Sequence, residues 1–343
     1  MTAEHSKLDI ENSVREVAGL QPDNIPAEVL NSAEPLILKG FVDCWPMVQA
    51  AKSGRTEVLS YLQRFCKNQE ILVFKGEPEI KGRFFYNDEM SGFNFGRVNS
   101  SFEFMLSLFE SLTGAEDEPA YYIGSTAVDL ALPGLRAEND IGLAAQQPLV
   151  SIWMGNRTRI AAHFDNPRNI ACIGAGRRRF TLFPPEQLAN LYVGPLDFTP
   201  AGQAISLVDF EQPDFERFPL FKEALKNAQV AELDAGDALY LPSLWWHHVE
   251  ALETFNVLVN YWWRDDPAAV GTPMDVLIHA LLNMQGLTAG QKRAWKNLFE
   301  HYVFDDQPEA FAHIPDARLG ILGDIDATTA RQLRTMLRSK LDK

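Results

Sequence analysis

The chain has 343 residues, 46% of them hydrophobic and 22% charged, with a net charge of −15 at pH 7. That length allows one large domain plus an accessory segment. The acidic balance repels phosphate backbones and anionic lipid, so neither a nucleic-acid nor a membrane partner is expected.

Three cysteines, Cys44, Cys66 and Cys172, are widely spaced and form no CxxC pair. Sparse, odd cysteines suit a reducing compartment. Met1 to Arg15 is polar, without the apolar core of a signal sequence, and no stretch approaches a membrane span. The expected location is cytoplasmic.

Residues 1 to about 30 read as a helical or loosely ordered lead-in. Glu34 to Gly40 reads as a short strand, and Cys44-Trp45-Pro46 as a turn. Met47 to Asn68 carries a helix-like pattern, and Ile71-Leu72-Val73-Phe74 is a strongly apolar strand candidate. A polar, Gly-containing stretch runs on to about Val98. In Ser101 to Leu112, Phe102, Met105, Leu106 and Phe109 recur at helical spacing. From Tyr121 to Arg264 the chain becomes short strands punctuated by Gly and Pro, which indicates a sandwich or barrel instead of a parallel α/β sheet. After Pro267, Met274 to Met284, Ala289 to Phe304 and Thr328 to Leu341 read as helices, the last with basic residues at its C-terminal end. There is no internal repeat. Three regions result: an N-terminal α/β region (1–120), a β core (121–266) and C-terminal helices (267–343).

The most informative residues are His163-Phe164-Asp165 and, far downstream, Trp246-His247-His248. Two histidines and a carboxylate are the ligand set of a facial triad, which holds Fe(II) on one face and leaves positions open. In a strand, side chains alternate, so His163 and Asp165 point the same way and a third ligand arrives from another strand. Alternation also ranks the neighbours. His247 shares its face with Val249 and Ala251, His248 with the acidic Glu250, so His247 is the better ligand; a packing role stays open for both. In Gly176 to Phe183, Arg178 shares a face with Phe180 and Leu182 and is expected inside a barrel. A buried arginine needs an anion: either a structural Asp or Glu, or a bound carboxylate clamped by the guanidinium fork. Gly236-Asp237 reads as a turn, and Ala238 to Pro242 as a strand that stops at proline. His5, His279, His301 and His313 suit surface or packing roles. Phe84, Phe85, Tyr86, Phe93 and Phe95 suit a substrate cleft or core filling, with core filling favoured.

Taken together, His163-Phe164-Asp165, Arg177 to Pro185, Gly236 to Pro242, Trp245 to Glu250 and Asn260-Tyr261-Trp262 resemble the JmjC/cupin-8 family. Asp214-Phe215-Glu216-Arg217-Phe218-Pro219 resembles its asparaginyl hydroxylase branch. The resemblance spans roughly Pro35 to Asp266. It implies a mainly β fold, a double-stranded β-helix (jelly roll), and a 2-oxoglutarate- and Fe(II)-dependent oxygenase that uses O₂ and releases succinate and CO₂. Its substrate would be a protein or peptide side chain or a small molecule; N-demethylation and a non-catalytic metal-binding cupin are the alternatives. By resemblance His163, Asp165 and His247 are the iron ligands and Arg178 meets the distal cosubstrate carboxylate, where that branch has lysine. Asn169 and Asn260 map near the cosubstrate or iron, and Trp262 lines the pocket. Tyr122 maps to a tyrosine reaching the same carboxylate, with adjacent Tyr121 leaving the register open. Ile160 stands where the branch has a hydroxyl-bearing residue. Similar family members pair through C-terminal helices, so a homodimer through residues 268–343 is expected.

Overall fold

The computed structural model describes residues 8–67, 69–265, 271–305 and 308–341. The chain divides into two compact units, Met1–Arg264 and Asp265–Lys343. In the first, β1 (Asn12–Ser13), β2 (Arg15–Ala18), α1 (Ala27–Leu30) and β3 (Leu36–Lys39) precede two helices, α2 (Pro46–Ser53) and α3 (Arg55–Gln63). Then come β4 (Glu70–Gly76), β5 (Arg83–Phe84), β6 (Phe95–Ser101), α4 (Phe102–Ser111), β7 (Ala120–Ala127) and α5 (Val128–Ala131). Four strands follow: β8 (Leu149–Gly155), β9 (Arg159–His163), β10 (Arg168–Ala175) and β11 (Arg177–Phe183). After an insert carrying α6 (Phe221–Lys226), the unit closes with β12 (Gln229–Asp234), β13 (Ala238–Leu241), β14 (Trp246–Ala251) and β15 (Asn256–Trp263).

These strands form two sheets. The smaller has six strands in the order β1-β12-β11-β14-β9-β5; the larger has nine, β2-β3-β13-β10-β15-β8-β7-β4-β6. Between them lie Ile37, Ile173, Phe180, Leu182, Leu233, Leu239 and Leu258. The outer face of the large sheet is covered by α2, α3 and α4 through Met47, Val58, Leu62, Phe102 and Phe109. The outer face of the small sheet is covered by the insert, whose Leu191, Phe210, Phe218 and Phe221 pack with Phe183 and Trp246. The central strands are therefore buried on both faces, which is why β10 and β13 read as near-continuous apolar runs. The architecture is the expected jelly roll.

The N-terminal lead-in differs from expectation. It contributes two short edge strands, β1 parallel to β12 and β2 parallel to β3. Val14, between them, is 2% exposed and packs in the barrel interior. Two-residue and four-residue edge strands with one buried side chain leave no periodicity to read. The helix expected over Met47 to Asn68 is two helices broken at Gly54; Asn68 lies outside the described residues. The stretch before Val98 contains β5 and β6, and β3, β4 and β6 belong to the same nine-stranded sheet as the core strands. Met1 to Lys7, including His5, lies outside the described residues. Among the described residues no helix is long and apolar enough to cross a membrane.

The second unit is helical: α7 (Pro273–Met284), α8 (Ala289–Phe299), which continues into a π-helical turn at Glu300–Phe304, and α9 (Ala327–Leu341). α7 and α8 each start in a capping box, Thr272 with Asp275 and Thr288 with Gln291. His279, His301 and His313 lie in this unit.

The turn at Gly236-Asp237 ties the end of β12 in the small sheet to the end of β3 in the large one. Asp237, 4% exposed, accepts hydrogen bonds from Lys39 Nζ (2.6 Å), Gly40 N (2.9 Å) and Asp234 N (3.0 Å). Removing a buried, fully engaged carboxylate strands its donors, so Asp237→Ala is expected to lower unfolding free energy by about 3 kcal/mol. The exposed Asp234→Ala should change it by less than about 0.5 kcal/mol. Denaturant titration of both variants checks this; equal losses would remove the special role of the turn.

Candidate metal centre

β9 and β14 pair antiparallel with His163 opposite His247 and Ile160 opposite Val249. Two steps on β14 thus match three on β9, so β9 carries a bulge between Ile160 and His163. The bulge reverses side-chain parity, and both Ile160 and His163 line the interior cavity although they are three residues apart. His163 ends β9, and Asp165 lies just beyond it. The pair therefore straddles the strand end instead of lying on one strand. Asp165 is held there by its carbonyl, which accepts Leu244 N at 2.9 Å from the loop entering β14.

Ligand-type atoms of His163, Asp165 and His247 all lie within 4.8 Å of one another. The imidazole centroids are 4.2 Å apart, and His247 Nε2 is 3.6 Å from Asp165 Oδ2. His163 Nδ1 sits 2.9 Å from Ala161 O, and His247 Nδ1 sits 3.0 Å from Trp245 O. A carbonyl can only accept, so each Nδ1 carries the hydrogen and each Nε2 is left with its lone pair free. Burial, with His163 alongside, pushes His247 down to about 4, and nearby Asp165 only partly offsets this. The ring is neutral at physiological pH, as a metal ligand must be.

Arg178 lies on the interior face, where alternation puts it. It is 3% exposed and lines the cavity with Phe180, whereas Arg177 is exposed and Arg179 binds Glu232. No carboxylate pairs with Arg178 among the described residues. Its Nε has no hydrogen-bond partner, and its Nη2 reaches only Trp153 O at 3.5 Å. Burial pulls the guanidinium down to about 10, against the opposing influence of Tyr122. Tyr122, not Tyr121, faces the cavity. Burial raises its hydroxyl, and nearby Arg178 partly counters that. Asn169 and Asn260 are buried side by side, with Asn260 Nδ2 3.4 Å from Asn169 Oδ1. Trp262 also lines the cavity, and its Nε1 has no partner.

The cavity measures about 430 Å³ and joins all eight residues singled out in the sequence. Trp153 was not among them. It donates from Nε1 to Asn260 Oδ1 at 2.7 Å and forms part of the wall. Its alternation with Ser151 and Gly155 in β8 is the signal that marks it. A roof from the insert, Pro200 to Ile205, was also not foreseen. It is latched by Tyr86 Oη to Phe198 O (2.5 Å) and Arg97 Nη2 to Pro200 O (2.7 Å), and Ser206 N reaches Ala162 O at 2.8 Å. The upstream aromatics divide: Phe84 and Phe95 line the cavity, while Tyr86 and Phe93 pack on Phe198.

His248 is not on a solvent face. It is 6% exposed beneath the insert, stacked on Phe210 with centroids 4.5 Å apart. Its acidic neighbour Glu250 sits in a covered layer of charges, which sequence alternation reads as solvent.

A model of the cupin-like domain matches residues 22–269. The chain belongs to the cupin-like domain family. A lysine-specific demethylase JMJ31 of Arabidopsis thaliana is 33% identical over 120 residues, 34% of this chain and 21% of that protein. A tRNA wybutosine-synthesizing protein 5 of Gallus gallus is 36% identical over 106 residues, 31% of this chain and 30% of that protein. A JmjC domain-containing protein F of Dictyostelium discoideum is 34% identical over 123 residues, 32% of this chain and 26% of that protein. The matches thus span less than a third of the length of these curated relatives.

The buried histidines give this cupin-like unit a pH signature. Burial, with Arg159 and Arg83 close by, pushes His248 down to about 3. As pH falls below 6.5 the unfolded chain takes up a proton that the folded chain refuses, so stability is complete above 6.5 and declines toward pH 3. In metal-free protein, His248→Asn should flatten the dependence of unfolding free energy on pH between 6 and 4 by about 1.4 kcal/mol per pH unit. Denaturant titrations at pH 6, 5 and 4 measure it; parallel pH profiles for the two proteins would contradict the buried neutral imidazole.

Proposed function

We propose that this chain is an Fe(II)- and 2-oxoglutarate-dependent oxygenase that hydroxylates a substrate C–H. The observation that carries the reading is Arg178, a buried cation without a carboxylate partner, facing the same cavity as a His–Asp–His cluster. Either feature alone has other uses. Together they match a chelating dicarboxylate that bridges a metal and an arginine fork.

His163, Asp165 and His247 would hold Fe(II), with Nε2 as the histidine donor atoms. Bound Fe(II) and 2-oxoglutarate supply the oxidising chemistry, in which O₂ converts the keto acid to succinate and CO₂ and one oxygen enters the substrate. Arg178 neutralises the distal carboxylate, and Tyr122 donates its hydroxyl, kept protonated by burial, to the same end. Asn169 and Asn260 offer amide groups along the wall, and Trp153 and Trp262 exclude water from it. Ile160 adds apolar surface and no hydrogen bond, so cosubstrate affinity rests on Arg178 and Tyr122.

Anaerobic calorimetry with Fe(II) and then 2-oxoglutarate tests this. Wild type should bind both, and succinate should form once air and substrate are admitted. His247→Ala should lose iron, while Arg178→Ala should keep iron and weaken 2-oxoglutarate binding by about a hundredfold or more. The exposed Arg177→Ala should change it by less than about twofold. Iron binding with no affinity for 2-oxoglutarate would favour a non-catalytic metal-binding cupin.

We also propose that the second unit pairs with another copy of the chain. Val276, Leu277, Leu281, Leu298 and Tyr302 are all exposed, and an isologous pair would bury such a face. Light scattering should give a dimer mass for the full-length protein and a monomer mass for Leu281→Glu/Leu298→Glu. A monomeric wild type at micromolar concentration would refute the pairing.

A further inference from the structure

The lining of the cavity divides by chemistry. Among the described residues Asp165 is its one carboxylate and Arg178 its one cation. Both are committed in the reading above, one to the metal and the other to the cosubstrate. The remaining polar residues, among them Ser125 and Gln203, carry no charge. The rest of the wall is hydrocarbon: Leu72 and Phe74 from β4, Phe84 from β5, Phe95 from β6, and Pro200 and Ile205 from the roof.

This wall borders the metal cluster. Phe84 pairs in register with Ile160, on the cavity side of the β9 bulge beside His163. Ile205 packs on Ala161, two residues from His163. On this side the lining next to the metal cluster is therefore hydrocarbon.

An aromatic wall can also receive a cation, if ring faces are open to it. Here the rings of the β4, β5 and β6 wall pack on one another. Phe74 meets Phe95 edge-on at 5.3 Å, Phe84 meets Phe95 at 5.3 Å, and Phe84 lies 5.8 Å from Tyr122. The guanidinium of Arg97 lies over Phe74 at 5.5 Å and over Phe93 at 5.7 Å. Arg97 is exposed and stands outside the cavity lining, so it takes up a face of the Phe74 ring from beyond the wall, and among the described residues it has no acidic partner in hydrogen-bond or ion-pair reach. A second cation arriving there would meet like charge from Arg97, Arg178 and the metal, with no free carboxylate to offset its desolvation.

We propose that the group brought to the metal is an uncharged hydrocarbon, aliphatic or aromatic, and not a methylated ammonium. The inference rests on the oxygenase reading for the use of the cluster, and it sets this chain apart from lysine demethylation.

The test uses the full-length protein loaded with Mn(II), a paramagnetic, redox-quiet stand-in, together with 2-oxoglutarate. Relaxation of probe protons is read by NMR for N-acetyl-leucinamide, 4-methylpentan-1-ol and N-acetyl-Nε,Nε-dimethyllysinamide. The two apolar probes separate a peptide-borne group from a free small molecule. At least one apolar probe should show relaxation enhancement about tenfold above the lysine probe. Leu72→Glu, at a half-exposed mouth position, should shift that ratio toward the lysine probe by about fivefold or more. Equal or greater enhancement for the lysine probe, or none for any probe with Mn(II) bound, overturns the proposal. Failure to bind Mn(II) would instead sink the metal assignment; calorimetry of the same probes on metal-free protein then still decides the preference of the pocket.

Discussion

β9 and β14 have to hold two imidazoles side by side, their planes tilted by 53°, while every strand around them keeps its own alternation. The bulge in β9 solves this by adding one residue on one side of the pair. Without it, Ile160 and His163 would point to opposite faces, and either the ligand or the wall residue would leave the cavity. The carbonyls of Ala161 and Trp245, which orient the two rings, come from the same two segments. Backbone geometry therefore sets ring tautomer, ring direction and cavity wall together.

Such a site needs rigid surroundings, and the layers on either side supply them. The small sheet carries His163, His247 and Arg178, and both of its faces are covered. On the inner face apolar residues surround the Arg178 guanidinium and the imidazoles, which raises the cost of any unpaired charge. On the outer face, Arg83 and Arg159 meet Asp209, and Arg159 also meets Glu211. The insert is thus fastened by ion pairs and by aromatic packing at once. Arg178 is the exception in this scheme, because among the described residues no carboxylate meets its charge.

Much of this was legible because strands alternate with a fixed period of two. That rule alone separated Arg178 from Arg177 and His247 from His248. It failed where the period is interrupted or the cover is remote. The bulge, one residue long, leaves no compositional mark. His248 and Thr181 look solvent-facing from their neighbours, yet both are buried under an insert whose aromatics sit tens of residues away. Tyr121 and Tyr122 could be separated only by pairing: Tyr122 stands opposite Phe74 and Gly155, on the cavity side. The lead-in was misread because β1 and β2 acquire strand character only from the sheets they join.

The roof over the cavity is held at its two ends, by the packing of Phe198 and Ile205 and by hydrogen bonds to its main chain. Tyr86 and Arg97 grip the carbonyl oxygens of Phe198 and Pro200, and the Ser206 amide is anchored to Ala162 O. Main-chain groups are the same whatever residue carries them. Ala201 and Gln203, both at the cavity, lie between these anchors and take no side-chain part in them. Those positions can be rewritten while the loop keeps its place. Changes at these two roof residues would alter the cavity while leaving the metal-binding strands untouched.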